Sequence, residues 1–179
     1  MECVLISIKP KWCELIANGE KTVEVRKTKP KLNTPFKCYI YCTKSELLTK
    51  SHYNGKICVA SSKKYQKVLE RNGNITLSGK VIGEFICDYI YENMFYDCEE
   101  SRVLVSELQK YANCKPLYGW HISDLKIYDE PKELSEFEKI CNHNCFTPCP
   151  YYRGKEYECE KPIITRPPQS WCYVEEVKE

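Results

Sequence analysis

Runs of apolar residues along the sequence predict a chain built mainly from β-strands. The segments 4–8, 36–43 and 79–92 combine β-branched, aromatic and other apolar residues in the short runs that are typical of strands. The segments 118–131 and 170–177 show the same pattern later in the chain. Strands therefore dominate the predicted secondary structure.

Two of these strands contain residues that predict an irregularity. Gly83 lies inside an apolar run, where a glycine indicates a bulge or a close approach of another backbone. Ser123 and Asp124 interrupt the run 118–131, and we expect the strand to bend there.

Helical periodicity is confined to short segments. One helix is predicted to begin at Pro10, which suits a first turn, and to end at Gly19. Others are predicted over 63–74 and 105–113, the second with Ser106 as its N-cap. Strands and helices do not alternate regularly, as a doubly wound parallel sheet requires. The predicted fold class is therefore α+β, a mixed β-barrel with peripheral short helices.

The strand that follows the first helix carries three charges within six positions. Val23 and Val25 alternate with Glu24 and Arg26, so the period of two predicts that the charged pair faces solvent. Lys21 begins this strand. An exposed ion pair contributes on the order of 0–1 kcal/mol. In a cleft, however, the two cations can bind phosphate, and Lys21 can serve as a general base or a nucleophile. The Glu24 carboxylate can act as a general acid or base on an amide, or it can accept a hydrogen bond from the amino group of a nucleobase.

Composition limits the partners and the location. The chain has 179 residues, of which 42% are hydrophobic and 29% are charged, with a formal net charge of +2. These values fit one well-packed domain without a global positive field, so any affinity for nucleic acid must come from a local patch. No apolar run reaches the roughly 18 residues of a membrane helix, and the N-terminal region does not resemble a secretory signal. A cytoplasmic location without a membrane partner is predicted.

The cysteines fall into two groups. The total of 13 is odd, which favours reduced thiols over a disulfide framework, and most lie singly in apolar runs as small buried residues. The exception is a C-x3-C-x3-C-x9-C cluster formed by Cys141, Cys145, Cys149 and Cys159. It predicts a structural zinc site, with His143 as an alternative ligand, although an iron–sulfur cluster or free thiols are also compatible with it.

The segment 7–27 resembles the opening of ASCH-domain proteins, which belong to the PUA-like superfamily. The segments 118–137 and 166–176 resemble the later strands of phage-type and firmicute-type members. The resemblance implies a PUA-like mixed β-barrel with a cleft beside the first helix–strand turn. Its motif is an S-x-K-P helix start and a G-x-K-x-x-E-x-R turn and strand, matched here by Ser7, Lys9, Pro10, Gly19, Lys21, Glu24 and Arg26.

The resemblance also implies a set of functions. Family members bind RNA, some act as nucleases, and a minimal member hydrolyses the acetyl amide of acetylcytidine. That amidohydrolase subgroup matches this chain at Lys21 but has threonine at the position of Glu24. It also uses a glutamate on a helix, for which Glu70, Glu99 and Glu107 are the possible counterparts.

These observations lead to a predicted site and partner. The partner is RNA, a nucleotide or a modified nucleoside, bound in a cleft around Lys21, Glu24 and Arg26. The alternative is a hydrolase of the same fold, a ribonuclease or a modified-nucleoside amidohydrolase, with Lys21 and Glu24 as catalytic residues. The predicted ligand-binding residues are Ser7, Lys9, Lys21, Glu24, Arg26, His121 and Gln169.

Two units are predicted along the chain. Residues 1–135 together with 166–179 form the ASCH/PUA-like unit, because the segments that resemble the family lie there. Residues 136–165 form a Cys-rich, zinc-knuckle-like insertion, and zinc is the predicted cofactor.

Overall fold

A computed structural model describes residues 1–60, 62–94, 99–140 and 162–177. Within them the chain forms eleven strands and three α-helices, and single 3-10 turns lie at Glu99–Ser101 and Leu134–Glu136. The strands are β1 (Glu2–Ile8), β2 (Val23–Arg26), β3 (Phe36–Cys42), β4 (Leu48–Lys50), β5 (Ile57–Val59), β6 (Ile75–Thr76), β7 (Val81–Cys87), β8 (Ile90–Glu92), β9 (Tyr118–His121), β10 (Ser123–Lys132) and β11 (Trp171–Glu175). The helices are α1 (Pro10–Ala17), α2 (Lys63–Arg71) and α3 (Val105–Ala112).

The strands form three sheets. The largest has five strands in the order β10-β7-β3-β1-β11, and β1 lies parallel to β3 but antiparallel to β11. A second sheet has the order β2-β9-β8, and a third has the order β5-β4-β6. The predicted α+β class with peripheral short helices is confirmed. The strand pairings of the described residues give open sheets rather than a closed barrel.

Apolar side chains cover both faces of the five-stranded sheet. On one face Val4, Ile6 and Ile8 of β1 pack with α1 and Trp120 in the main core. On the other face Leu5 packs with a second cluster that includes Phe137. The third cluster joins α3 to β2. The helix α3 therefore covers one side of the strand that carries the three predicted site charges.

The local predictions for glycine and for strand bends are confirmed. Gly19 adopts φ +75° after α1, the left-handed conformation that ends helices. A Cβ atom on Gly83 would lie 2.4 Å from the carbonyl oxygen of Lys126, so the two strands approach closely there. Asp124 adopts φ +47°, and the predicted run 118–131 divides into β9 and β10 just before it.

Two other local predictions are wrong. Ser106 does not cap α3, because the helix begins one residue earlier and Leu104 occupies the N-cap without a side-chain hydrogen bond. The run 79–92 is two strands rather than one, since β7 ends at Cys87 and β8 begins at Ile90 in another sheet. Among the described residues no helix is both long and apolar enough to cross a membrane.

Candidate functional site

A cavity of about 530 Å³ opens beside the turn between α1 and β2. Its walls come from the end of β1, from α1, β2 and α3, from the residues after β3, and from the segment 167–170 that leads into β11. The residues that line it are Ser7, Lys9, Trp12, Lys21, Glu24, Val25, Arg26, Thr43, Ser45, Val103, Glu107, Leu108, Tyr111, Pro167, Pro168, Gln169 and Ser170.

Glu24 lies at the buried floor of this cavity, not on a solvent-facing strand surface as the alternation predicted. The residue is 3% exposed, and the fully buried Trp120 is its cross-strand neighbour. The opposite face of β2, which carries Val25, is covered by Leu108 of α3. Because both faces of β2 are covered, alternation along the strand does not separate core from solvent here.

Lys21 is also buried, with 2% of the residue exposed. Its ammonium donates hydrogen bonds of 2.6 Å to the carbonyl oxygens of Val23 and Ser101, and Nζ lies 3.4 Å from Glu24 Oε2. Nζ also lies 5.3 Å from the ring centroid of Trp12. All four groups interact favourably with a cation. Lys21 is therefore held as a fixed positive charge under the cavity.

Arg26 holds Glu24 from the other side. Its Nη1 donates to Glu24 Oε1 and, at 3.0 Å, to the carbonyl oxygen of Val25, and its Nη2 donates at 2.7 Å to the carbonyl oxygen of Ser7. The guanidinium thus ties β2 to β1 across two sheets. The floor contains two cations and one carboxylate, which leaves a net positive charge where β1 and β2 meet.

Two buried polar atoms of this cluster have no hydrogen-bond partner among the described residues. They are Glu24 Oε2, whose contact with Lys21 Nζ at 3.4 Å is an ion contact without hydrogen-bond geometry, and Arg26 Nε. A buried donor or acceptor that remains unpaired costs roughly 1–3 kcal/mol. Both atoms have almost no accessible surface, so they lie within the floor of the cavity rather than at its surface.

The C-terminal wall of the cavity is fixed by Ser7. Its hydroxyl donates at 2.7 Å to the carbonyl oxygen of Pro168, and its amide donates at 2.9 Å to that of Ser170. Gln169, between them, is exposed at the cavity rim, as are Lys9 and Tyr111 elsewhere on the rim. The two prolines of this segment, Pro167 and Pro168, also line the cavity.

With this geometry in place, comparison with known proteins assigns the family. The family model described as ASCH domain matches residues 6–141, more than half of the sequence. The chain belongs to the ASCH domain family. No protein with a curated description matches this sequence.

Solved ASCH structures share the fold of this protein. The ASCH protein from Zymomonas mobilis has a TM-score of 0.55 at 15% identity, covering 97% of this chain and 87% of that one. A serine-to-alanine variant of that protein has a TM-score of 0.56 at 16% identity, and the match covers 97% of this chain and 88% of the variant. At such identities the likeness shows the ASCH fold alone.

Six of the seven predicted ligand-binding residues line the ASCH cavity, and His121 does not. His121 lies on β9, and its Nδ1 is 2.6 Å from Asp88 Oδ1. This hydrogen bond lowers the pKa of the Asp88 carboxyl below its ordinary value. His121 pairs with Val23 on β2, so it shares the face of the sheet opposite to Glu24.

The helix α3 provides residues that the sequence did not assign to the site. Leu108 and Tyr111 line the cavity together with Glu107, which is one of the three glutamates considered for the hydrolytic role. Glu99 is not among the lining residues, and Glu70 lies on α2. Glu107 and Tyr111 are four residues apart and so share one helix face, which is the signal that could have grouped them.

The predicted zinc ligands lie outside the described residues. Cys141, Cys145, Cys149, Cys159 and the alternative ligand His143 all fall within 141–161. In the described part of the chain, no group of three or more His, Cys, Asp or Glu side chains is arranged to hold a metal ion. The zinc site stays a prediction from the sequence.

Proposed function

We propose that this ASCH protein binds RNA through a nucleotide, plain or modified, whose base enters the cavity over Glu24. The observation that carries the proposal is a cavity whose floor contains the Glu24 carboxylate between the cations of Lys21 and Arg26. Nucleobase edges carry donors and acceptors side by side, and a carboxylate accepts well from an exocyclic amino group.

The remaining lining suits the other parts of a nucleotide. A volume of about 530 Å³ lies within the range of sites that enclose small ligands. Trp12 and Tyr111 offer aromatic faces on which an unstacked base can pack. Lys9 at the rim and the net positive floor attract phosphate, although the whole protein is almost neutral.

The binding test uses labelled single-stranded RNA and fluorescence anisotropy at low salt. Glu24→Gln and Arg26→Gln remove one charge each from the cavity floor, and we expect each to weaken binding about tenfold or more, because the two residues line the cavity and hold each other in place. Lys56→Gln is the matched control, since Lys56 is exposed and does not line the cavity. Circular dichroism melts identify any variant that is unfolded at the assay temperature. Folded variants that bind as tightly as the wild type would exclude this cavity.

A hydrolase of the same fold is the second candidate, and Glu107 favours it. This carboxylate lies on α3, lines the cavity and is exposed, so it can reach a ligand or a water molecule there. Lys21 is less suited to nucleophilic attack, because its ammonium is engaged with two carbonyl oxygens and Glu24. In such an enzyme Lys21 and Glu24 contribute fixed charges beside the reacting group, whereas Glu107 donates or accepts the proton as the general acid or base.

The enzymatic test measures turnover of acetylcytidine and of labelled RNA. If the chain is a hydrolase, Glu107→Gln abolishes turnover but leaves RNA affinity nearly intact, whereas Glu24→Gln lowers both. Glu136→Gln serves as the control, since Glu136 lies in a 3-10 turn and does not line the cavity. Wild-type protein that binds RNA but turns over neither substrate would leave binding as the function.

A further inference from the structure

A basic loop leaves the cavity directly after Arg26. Lys27 Nζ lies 4.7 Å from the ring centroid of Tyr111, and Tyr111 itself lines the cavity. Arg26 lines the cavity as well, so the chain passes from the floor to the rim within one residue. The loop and the cavity therefore form one continuous surface.

Aromatic residues of two sheets hold this loop in place. Trp171 Nε1 donates at 3.0 Å to Thr28 Oγ1, and the amide of Lys31 donates at 2.8 Å to the hydroxyl of Tyr173. Trp171 and Tyr173 belong to β11, and Pro30 of the loop is buried. Between these anchors Lys29 Nζ lies 5.5 Å from the ring centroid of Tyr118 on β9. The loop is thus a fixed part of the surface.

The loop presents more positive than negative charge. Lys27, Lys29 and Lys31 occupy alternate positions and are all exposed. Lys29 is paired with Glu92, whereas within the described residues neither Lys27 nor Lys31 is in an ion pair. Fixed cations alternating with aromatic rings are the arrangement with which proteins bind a single strand, phosphate on the cation and base on the ring.

We infer that the bound RNA is a single-stranded segment, and that the phosphates next to the nucleotide in the cavity lie along residues 27–31. The inference rests on the proposed binding of a base in the cavity. Lys27, beside Tyr111, contacts the first phosphate beyond the nucleotide in the cavity, and Lys31, held by Tyr173, contacts one further along. The cavity selects one base, and the loop adds affinity that does not depend on sequence.

The test compares Lys27→Gln/Lys31→Gln with the wild type on two probes. These are a labelled single-stranded RNA of about twelve nucleotides of mixed sequence and the four nucleoside 5′-monophosphates. The variant should bind the RNA about tenfold or more weakly at low salt, and the slope of log affinity against log salt should become shallower by about 1.4, which is roughly 0.7 for each lost phosphate contact. Its affinity for the monophosphate that binds best should stay unchanged, because the cavity is intact.

The control is Lys56→Gln/Lys67→Gln, which removes the same charge from exposed lysines before β5 and on α2. An equal loss in this control would overturn the inference, since the loop would then act only through net charge. Unchanged RNA affinity and salt slope in the loop variant would overturn it too. Both results leave the proposed function in place if Arg26→Gln still weakens monophosphate binding. If Arg26→Gln binds every probe like the wild type, the proposed function fails, and the inference fails with it.

Discussion

At the scale of residues, the site depends on a carboxylate that is almost completely buried. Glu24 is compensated by Lys21 on one side and Arg26 on the other. Removing one partner of a buried ion pair typically lowers the free energy of unfolding by about 3–5 kcal/mol. Because Glu24 has two cationic partners, the loss of one still leaves the other beside it. Glu24 lines the cavity between these two cations, so its carboxylate is fixed in place beside any ligand that enters.

His121 permits a prediction about pH, because it is the main cause of the lowered pKa of Asp88. In His121→Phe the pKa of Asp88 should rise towards its ordinary value of about 3.9, as followed by NMR titration of the carboxyl group. Since the folded pKa is depressed, the contribution to stability is present above about pH 4 and is lost as pH falls through the lower folded value. The stability difference between wild type and variant should therefore shrink below that range.

Ser123→Ala is the matched control for this prediction. Ser123 also lowers the pKa of Asp88, but it is the smallest of the contributions, so its removal should shift the pKa less. An Asp88 titration that is the same in His121→Phe and the wild type would contradict the prediction.

The sequence located the charged residues of the site but not their burial. Lys21, Glu24 and Arg26 are neighbours along a strand, so their proximity follows from spacing and from the family resemblance. Their burial depends on α3 and on the segment 167–170, which are distant in sequence. Periodicity describes only the strand itself, and for this reason it assigned Glu24 to a solvent-facing surface.

At the scale of elements, the sequence was enough to predict where most strands lie, but not where one apolar run divides into two strands. The apolar run 79–92 continues through Asp88 and Tyr89, where the chain passes from the five-stranded sheet to the three-stranded one. Nothing in hydrophobic patterning marks such a transfer, because both halves are apolar. The sheet of β4, β5 and β6 was also missed, since its strands have two or three residues each.

Gly83 provides a prediction at the scale of elements. Gly83→Ala should lower the free energy of unfolding by about 1–3 kcal/mol, as overpacking typically does, because the added Cβ would lie 2.4 Å from a backbone oxygen of β10. Urea denaturation measures this change. Gly119→Ala is the comparison, since its Cβ meets only side chains, Val23 Cγ1 at 2.9 Å and atoms of Met94, among the three nearest atoms. An equal or larger cost at Gly119 would contradict the argument.

At the scale of the whole molecule, β11 completes the sheet after the Cys-rich segment. Glu138 forms an antiparallel bridge with Ile163, and Lys139 forms one with Val174. The residues on either side of 141–161 therefore lie next to each other. This arrangement suits the predicted insertion of residues 136–165 into one ASCH unit, and the zinc site within it remains our proposal.

Metal analysis tests the zinc proposal on protein purified without a histidine tag. We expect about one equivalent of zinc per chain, because a polar segment with four cysteines needs a metal to order it. Cys145→Ser should lose the zinc, whereas Cys114→Ser should keep it, since Cys114 is an exposed thiol outside the cluster. Less than about half an equivalent in the wild type would exclude the site.

The pairing of β1 with β11 has a consequence for how the protein matures during synthesis. Glu2 is opposite Glu175, so the second edge of β1 stays uncovered until the last described strand has left the ribosome. At about 5–20 residues per second, that delay lasts several seconds or more. The wall formed by residues 167–170 arrives equally late, so the cavity is complete only after these residues have left the ribosome.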